Sequence, residues 1–347
     1  MGGLDIRPAE QRRDWFIPGS LHEDLYQRLK TEGARAIEGL DLPADRPVVT
    51  VCEAGVTSAI AAEGLAARGY HALSLSGGMN AWSGAWNTAG LALASGTRVV
   101  QVRRTGKGCL SYLLVSQGEA LVIDAALDPQ TYLDLAAQRG ARIVAAVDTH
   151  VHADHLSRSR ALTLRLGVPL HLPAQDRVRY PHTPLADGDQ VAFGSTNLHV
   201  LRTPGHTWES SSYLLEGEAI FTGDTLFVDG VGRPDLEARA GEARERAAAL
   251  HASLQRLLTL PGDMLALPGH SSRPIPFDGE ILGATLAEAR ASSELLMLDR
   301  EAFVERVTAR VPPTPENHRR IVALNEAGEL PDDTTELEAG GNRCAIG

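Results

Sequence analysis

Thr149-His150-Val151-His152-Ala153-Asp154-His155 sets three imidazoles and a carboxylate directly after the apolar run Ile143 to Val147. A buried strand that ends in alternating histidines points His150 and His152 into one cavity, with Asp154 and His155 serving an adjacent position. Three further motifs follow: Thr203-Pro204-Gly205-His206-Thr207, Phe221-Thr222-Gly223-Asp224-Thr225 and Leu267-Pro268-Gly269-His270. Together they offer nitrogen and oxygen ligands and no sulfur. Five of the 12 histidines fall in these motifs, each behind an apolar strand-like run, and that density favours a metal site over scattered hydrogen-bonding histidines.

The chain of 347 residues is long enough for two domains. Lys+Arg 33 against Asp+Glu 44 gives a net charge of −11, which argues against nucleic acid or an anionic membrane as the main partner but leaves room for a local basic pocket for a small anion. No apolar run approaches the ~20 residues needed to span a bilayer, and Met1-Gly2-Gly3-Leu4-Asp5 lacks a signal-peptide pattern, so a cytoplasmic protein is expected. Cys52, Cys109 and Cys344 stand in unrelated contexts without CxxC spacing, which indicates neither a disulfide framework nor a zinc ribbon. Cys344 reads as a packing or bystander residue in a tail.

Composition places a link at residues 87 to 97, between a first domain over 1–90 and a second over 97–347 with a C-terminal helical extension. Upstream, Pro47 to Val51 reads as a strand, Cys52 to Ser58 as a loop and Ala59 to Arg68 as a helix, the unit of a parallel α/β sheet. Downstream, strands are expected at Arg98 to Arg103, Leu110 to Ser116, Ala120 to Asp124, Ile143 to Val147 and Pro169 to Leu172, then from Val191 to Thr222. Helices are expected at Gln130 to Arg139, Arg158 to Leu166, Ala238 to Leu258, Glu280 to Glu294 and Arg300 to Ala309. This order suggests two sheets between helices.

A cysteine between a strand and a helix sits where loop N–H groups converge, which favours thiolate and can cradle an anion. Leu4-Asp5-Ile6-Arg7, Phe16-Ile17-Pro18-Gly19-Ser20, the loop Cys52 to Ser58 and Gly77-Gly78-Met79-Asn80-Ala81-Trp82 resemble, in order and spacing, a single rhodanese domain over residues 4 to 87. The resemblance implies a doubly wound parallel sheet and a sulfurtransferase whose catalytic Cys52 carries a persulfide, held by the N–H groups of Glu53, Ala54, Gly55, Val56, Thr57 and Ser58. Glu53 and Thr57 stand where the family often carries a basic residue, so the loop has no cation of its own. The domain also starts at its Asp5 strand, with the family's usual first strand and helix missing or very short.

The motif His150 to His155, with His206, Asp224 and His270, resembles the metallo-β-lactamase superfamily over about residues 97 to 290, implying an αββα sandwich. Two metal arrangements stay open. A dinuclear zinc hydrolase similar to glyoxalase II would use His150, His152 and His206 for one ion, and Asp154, His155 and His270 for the other, with Asp224 bridging. A mononuclear iron(II) enzyme would use His150, His206 and Asp224, leaving His152, Asp154, His155 and His270 as hydrogen-bonding supports. Gly223 to Phe227 followed by Gly230-Val231-Gly232-Arg233-Pro234-Asp235 looks like the matching stretch of persulfide dioxygenases, in which Arg233 pairs with Asp235 and orders the site. Ser271-Ser272-Arg273 stands where dioxygenases of glutathione persulfide commonly place Asp and Tyr.

The expected function is oxidation of a low-molecular-weight persulfide, such as glutathione persulfide, by O2 to sulfite, coupled to sulfur transfer and thiosulfate formation through Cys52. A homo-oligomer is compatible with the sequence. A non-catalytic alternative makes the rhodanese-like half a docking or oligomerisation module.

Overall fold

The computed structural model describes residues 2–346 apart from 216, 237, 240, 310 and 316. The first unit is built on four parallel strands in the order Leu21–His22, Gly2–Asp5, Val48–Val51 and Ala72–Ser74. Val48 to Val51 is β-branched throughout and nearly all buried, as a central strand covered on both faces requires. Helix Val56–Ala67 packs Ala61 and Leu65 onto a core of Leu4, Ile6, Leu29, Ile37 and Val48. Strand Gly2–Asp5 is followed by the short helix Ala9–Asp14.

The second unit is a sandwich of two mixed sheets. One has seven strands in the order Thr183–Leu185, Leu170–Pro173, Arg142–Val147, Glu119–Ile123, Cys109–Ser116, Arg98–Arg104 and Asn87–Ala92. The other has six: Gln190–Phe193, Thr196–Arg202, Ser211–Leu215, Ala219–Gly223, Leu265–Pro268 and Ala284–Thr285. Between them lie Leu110, Tyr112, Leu121, Val147, Phe193, Tyr213, Phe221 and Leu267. Tyr112 and Phe221 meet edge to face with centroids 4.9 Å apart, an arrangement that adds about 0.5–1.5 kcal/mol to their burial. Helices Pro129–Ala137 and Ser159–Leu166 cover one outer face, and Glu242–Leu257 with Arg300–Ala309 the other. Among the described residues no helix is long and apolar enough to cross a membrane.

Three sequence expectations need correction. The link read over 87–97 contains the edge strand Asn87–Ala92, which pairs antiparallel with Arg98–Arg104, so the second unit begins at Asn87 and not at 97. Its glycine and polar residues hide the strand, because an edge position needs only one buried face. The helix expected over 280–294 shrinks to Leu286–Ser292, since Thr285 and Glu288 form a capping box that fixes its start. The helix expected over 238–258 is found at Glu242–Leu257, with residue 240 of that span outside the described residues.

The turn after Arg98–Arg104 joins the units. Arg104 Nε donates to Ser83 O at 2.9 Å, and Gly106 N donates to Ala85 O at 3.1 Å. A Cβ on Gly106 would stand 1.6 Å from Trp82 O, so only glycine permits this approach.

Candidate active sites

Asp124, at the end of strand Glu119–Ile123, organises the histidine loop. Its Oδ1 accepts from Thr149 N at 2.7 Å and its Oδ2 from Thr149 Oγ1 at 2.8 Å. It holds φ at +53°, a left-handed conformation that Asp tolerates better than most residues. Because Thr149 Oγ1 donates to Asp124, it must accept from His150 Nδ1 at 2.9 Å, which leaves the His150 Nε2 lone pair free. His206 Nδ1 likewise donates to Arg233 O at 2.9 Å and frees its Nε2.

Both free nitrogens face Asp224, which follows strand Ala219–Gly223. His150 Nε2 lies 3.9 Å and His206 Nε2 3.6 Å from Asp224 Oδ2. The donor atoms of these three residues all fall within 4.8 Å of one another. His150 Nε2 and Asp224 Oδ2 are buried with no hydrogen-bond partner among the described residues. Orphaned lone pairs converging on one point are costly unless a cation joins them, so this set fits a divalent metal. Burial pushes the His150 and His206 pKa down, keeping the imidazoles in the neutral, metal-binding form. Burial opposes ionisation of Asp224, but His270, His150 and His206 outweigh it and hold the carboxyl well below its usual range. The approach is tight: a Cβ on Gly232 would meet Asp224 O at 1.9 Å and His206 Cβ at 3.0 Å.

His152 does not join this set, although the sequence pointed it into the same cavity as His150. Its Nε2 donates to Asp124 Oδ1 at 3.2 Å, grouping it with Asp124 and Asp148, while its Nδ1 has no hydrogen-bond partner among the described residues. Asp154, His155 and His270 form a neighbouring group that Cys109 enters. There the carboxylate serves its own neighbours: Asp154 Oδ2 accepts from Cys109 Sγ at 3.2 Å and Oδ1 meets His155 Nδ1 at 3.1 Å. His270 Nδ1 bonds Asp224 Oδ1, joining the two groups, and His155 Nε2 has no hydrogen-bond partner of standard geometry among the described residues. Burial lowers the His155 pKa, but Asp154 and Cys109 outweigh it and raise it to about 10.

Two of the cysteines set aside from the sequence stand at this centre. Cys109 heads strand Cys109–Ser116 and bridges to His270. The tail brings Cys344 within 4.8 Å of donor atoms of Asp224 and His270, which corrects its reading as a bystander. Arg233 N donates to Cys344 O at 2.9 Å, Ala345–Ile346 pairs with Val231–Gly232, and Asn342 Nδ2 donates to Asp154 Oδ2 at 3.1 Å. No local signal marks Cys344, because its partners His270 and Asp224 lie far back along the chain. Arg233 is fully buried and forms a two-pronged pair with Asp235 at 2.7 and 2.8 Å. It acts on the site through its backbone carbonyl on His206, while its guanidinium also holds Arg343 O in the tail at 3.2 Å.

In the first unit Cys52 Sγ accepts from Gly55 N at 3.2 Å, Ser58 N at 3.4 Å and Ser58 Oγ at 3.2 Å. Glu53, Ala54, Val56 and Thr57 complete the loop without an N–H to Sγ among the described hydrogen bonds. A cation does stand beside it: Arg7 NH1 is 3.8 Å from Glu53 Oε2.

Residues 104–270 match the metallo-beta-lactamase superfamily and residues 3–85 a rhodanese-like domain. A hydroxyacylglutathione hydrolase of Anaeromyxobacter dehalogenans (strain 2CP-C) is 36% identical over 55% of this chain and 75% of its own length. The chain belongs to the metallo-beta-lactamase superfamily. It carries a rhodanese-like domain ahead of the superfamily domain. The mitochondrial persulfide dioxygenase ETHE1 of Bos taurus is 30% identical over 60% of this chain and 78% of its own. The crystal structure of ETHE1 from Myxococcus xanthus superposes with a TM-score of 0.58 at 31% identity, covering 67% of this chain and 99% of that one. The superfamily match includes every histidine and aspartate of the metal centre and stops short of the tail that carries Cys344.

Proposed function

We propose that this chain is a persulfide dioxygenase that uses one iron(II), with its rhodanese-like domain transferring sulfane sulfur through Cys52. The observation that carries this reading is the three-member donor set of His150, His206 and Asp224, with His152 turned onto Asp124. Two imidazoles and one carboxylate are the ligand pattern of non-haem iron oxygenases. Iron(II) held there supplies the redox chemistry that lets dioxygen oxidise a sulfane sulfur. The residues do the rest: Thr149 and the Arg233 carbonyl fix the histidine tautomers, Asp224 supplies the negative charge, and the tail at Cys344 closes the centre to water. The net reaction is R–S–SH + O2 + H2O giving R–SH and sulfite with two protons. At Cys52, sulfite attacks the outer sulfur of the persulfide, a new S–S bond forms, and Cys52 Sγ leaves with the electron pair and takes up the proton, releasing thiosulfate.

Anaerobically purified protein is expected to hold one iron per chain and to consume oxygen with glutathione persulfide. Two tightly bound zinc ions, fast thioester hydrolysis and no oxygen uptake would overturn this reading. They would establish the second one, a dinuclear hydrolase, which the unpartnered His155 Nε2 and the hydroxyacylglutathione hydrolase relatives favour.

Cys52→Ser keeps the size and a hydroxyl but removes the thiolate that carries sulfane sulfur. It should abolish formation of thiosulfate from persulfide and sulfite, while oxygen consumption with a small soluble persulfide persists. Unchanged sulfur transfer would refute the role of Cys52. Loss of both activities at constant iron content would make Cys52 the obligatory carrier of sulfur to the iron.

A further inference from the structure

The tail that crosses the metal centre leans on the first unit. Trp15 stands in that unit's core, 3% exposed, in an apolar cluster with Met79 and with Val51, the residue before Cys52. Its carbonyl accepts from Arg7 NH2 at 2.6 Å, and Arg7 is itself paired with Asp5 at 2.7 Å. The tryptophan is therefore fixed by its own unit.

Its indole reaches from there onto the second unit. A Cβ on Gly341 would stand 2.7 Å from Trp15 Cδ2 and closer still to Cε3, so the tail backbone touches the ring and leaves no room for a side chain. Gly341 is not among the glycines of positive φ, so space and not backbone conformation demands glycine here. A Cβ on Gly108, the residue before Cys109, would stand 3.0 Å from Trp15 Cη2 and 3.3 Å from Asn342 Cβ. The indole thus meets the tail and the head of strand Cys109–Ser116 together.

The next residues of the tail are those at the metal centre. Asn342 gives its N–H to Lys107 O at 2.9 Å and its Nδ2 to Asp154 Oδ2 at 3.1 Å, and Cys344 has its sulfur within 4.8 Å of donor atoms of Asp224 and His270. Arg343 also pairs with Asp14 of the first unit at 2.8 Å, but both side chains are partly exposed and such a pair contributes little. Burial of an indole against backbone contributes more.

We propose that Trp15 is a positioning residue of the metal centre: the rhodanese-like unit supplies the face on which the tail is seated, and through the tail it places Asn342 on Asp154 and Cys344 beside Asp224. This role holds whichever metal and whichever reaction the centre serves.

The test is labelling of the native full chain with a thiol reagent, read at each cysteine by peptide mass, beside hydrogen exchange of the Asn342 amide. Gly341→Ala leaves the core of the first unit intact and pushes the tail off the ring. It should raise both the labelling rate of Cys344 and the exchange rate of the Asn342 amide at least about tenfold, with labelling of Cys52 unchanged. Trp15→Leu should raise the same two rates, and Trp15→Phe, which keeps an aromatic face, should restore most of the protection. In the Trp15→Leu background Gly341→Ala should add less than about twofold, because the ring atoms its methyl would strike are gone. Unchanged protection of Cys344 in Gly341→Ala, or effects of the two substitutions that multiply, overturns the role of Trp15. Equal exposure of Cys52 and Cys344 in Gly341→Ala overturns it as well, since the first unit and not the tail would then have opened.

Discussion

On the dioxygenase reading proposed above, Asp224→Ala is expected to give a folded protein that no longer retains iron and no longer oxidises persulfide. Asp224 is the sole anion of the three-member set, and without it two neutral imidazoles face a hard dication. The substitution also removes the acceptor of His270 Nδ1, so the neighbouring group loosens as well. His152→Ala is expected to be milder, a loss of ~10–100-fold in affinity or activity, because His152 bonds Asp124 and supports the loop from behind. Iron content by elemental analysis, beside oxygen uptake, separates the two variants. Equal loss of metal in both would mean that His152 is itself a ligand, and would favour the dinuclear arrangement.

The second large effect is on stability. Glu338 is fully buried, accepts from Leu156 N at 2.6 Å and pairs with Arg158 at 2.5 and 2.8 Å and with Arg104 at 3.3 Å. Glu338→Ala leaves two buried guanidinium groups without their shared carboxylate, which should cost about 3–5 kcal/mol in urea unfolding. Burial raises the Glu338 pKa, but Arg158 and Arg104 outweigh it and hold it down at about 2. A carboxyl depressed on folding contributes stability above its unfolded value near 4.5, and that stability fades as pH falls from there toward 2. The variant should therefore lack this part of the acid sensitivity of the parent. It should also free the tail, so that Cys344 reacts with a thiol reagent in the native state; a protected Cys344 would show the tail to be anchored elsewhere.

What the sequence makes legible is what sits close together along it. His150 to His155 declares itself because a strand and its metal loop are consecutive, and Cys52 because strand, loop and helix are too. Asp124 escapes notice because its partners Thr149 and His152 are 25 and 28 residues further on. Arg104 and Glu338 are separated by 234 residues, and nothing near either names the other. Cys109 stands just ahead of the strand expected from Leu110 and proves to be its first residue; only the sandwich closing over that strand brings its thiol to Asp154. The edge strand Asn87–Ala92 was masked by turn-forming residues at a position where one face needs no apolar cover.

The tail across the metal centre also bears on how the protein matures. Asp224, the last of the three donors to be made, leaves the ribosome well before Cys344, and at about 5–20 residues per second the interval is roughly six to twenty-four seconds. Throughout that time the histidine loop can fold against its sheet while the strand pair of Val231–Gly232 with Ala345–Ile346 does not yet exist. The nascent chain therefore offers open ligands to whichever metal the cell presents first, and completion of the tail shuts that choice in. Metal identity in this protein would then be decided by timing during synthesis as much as by affinity in the finished fold.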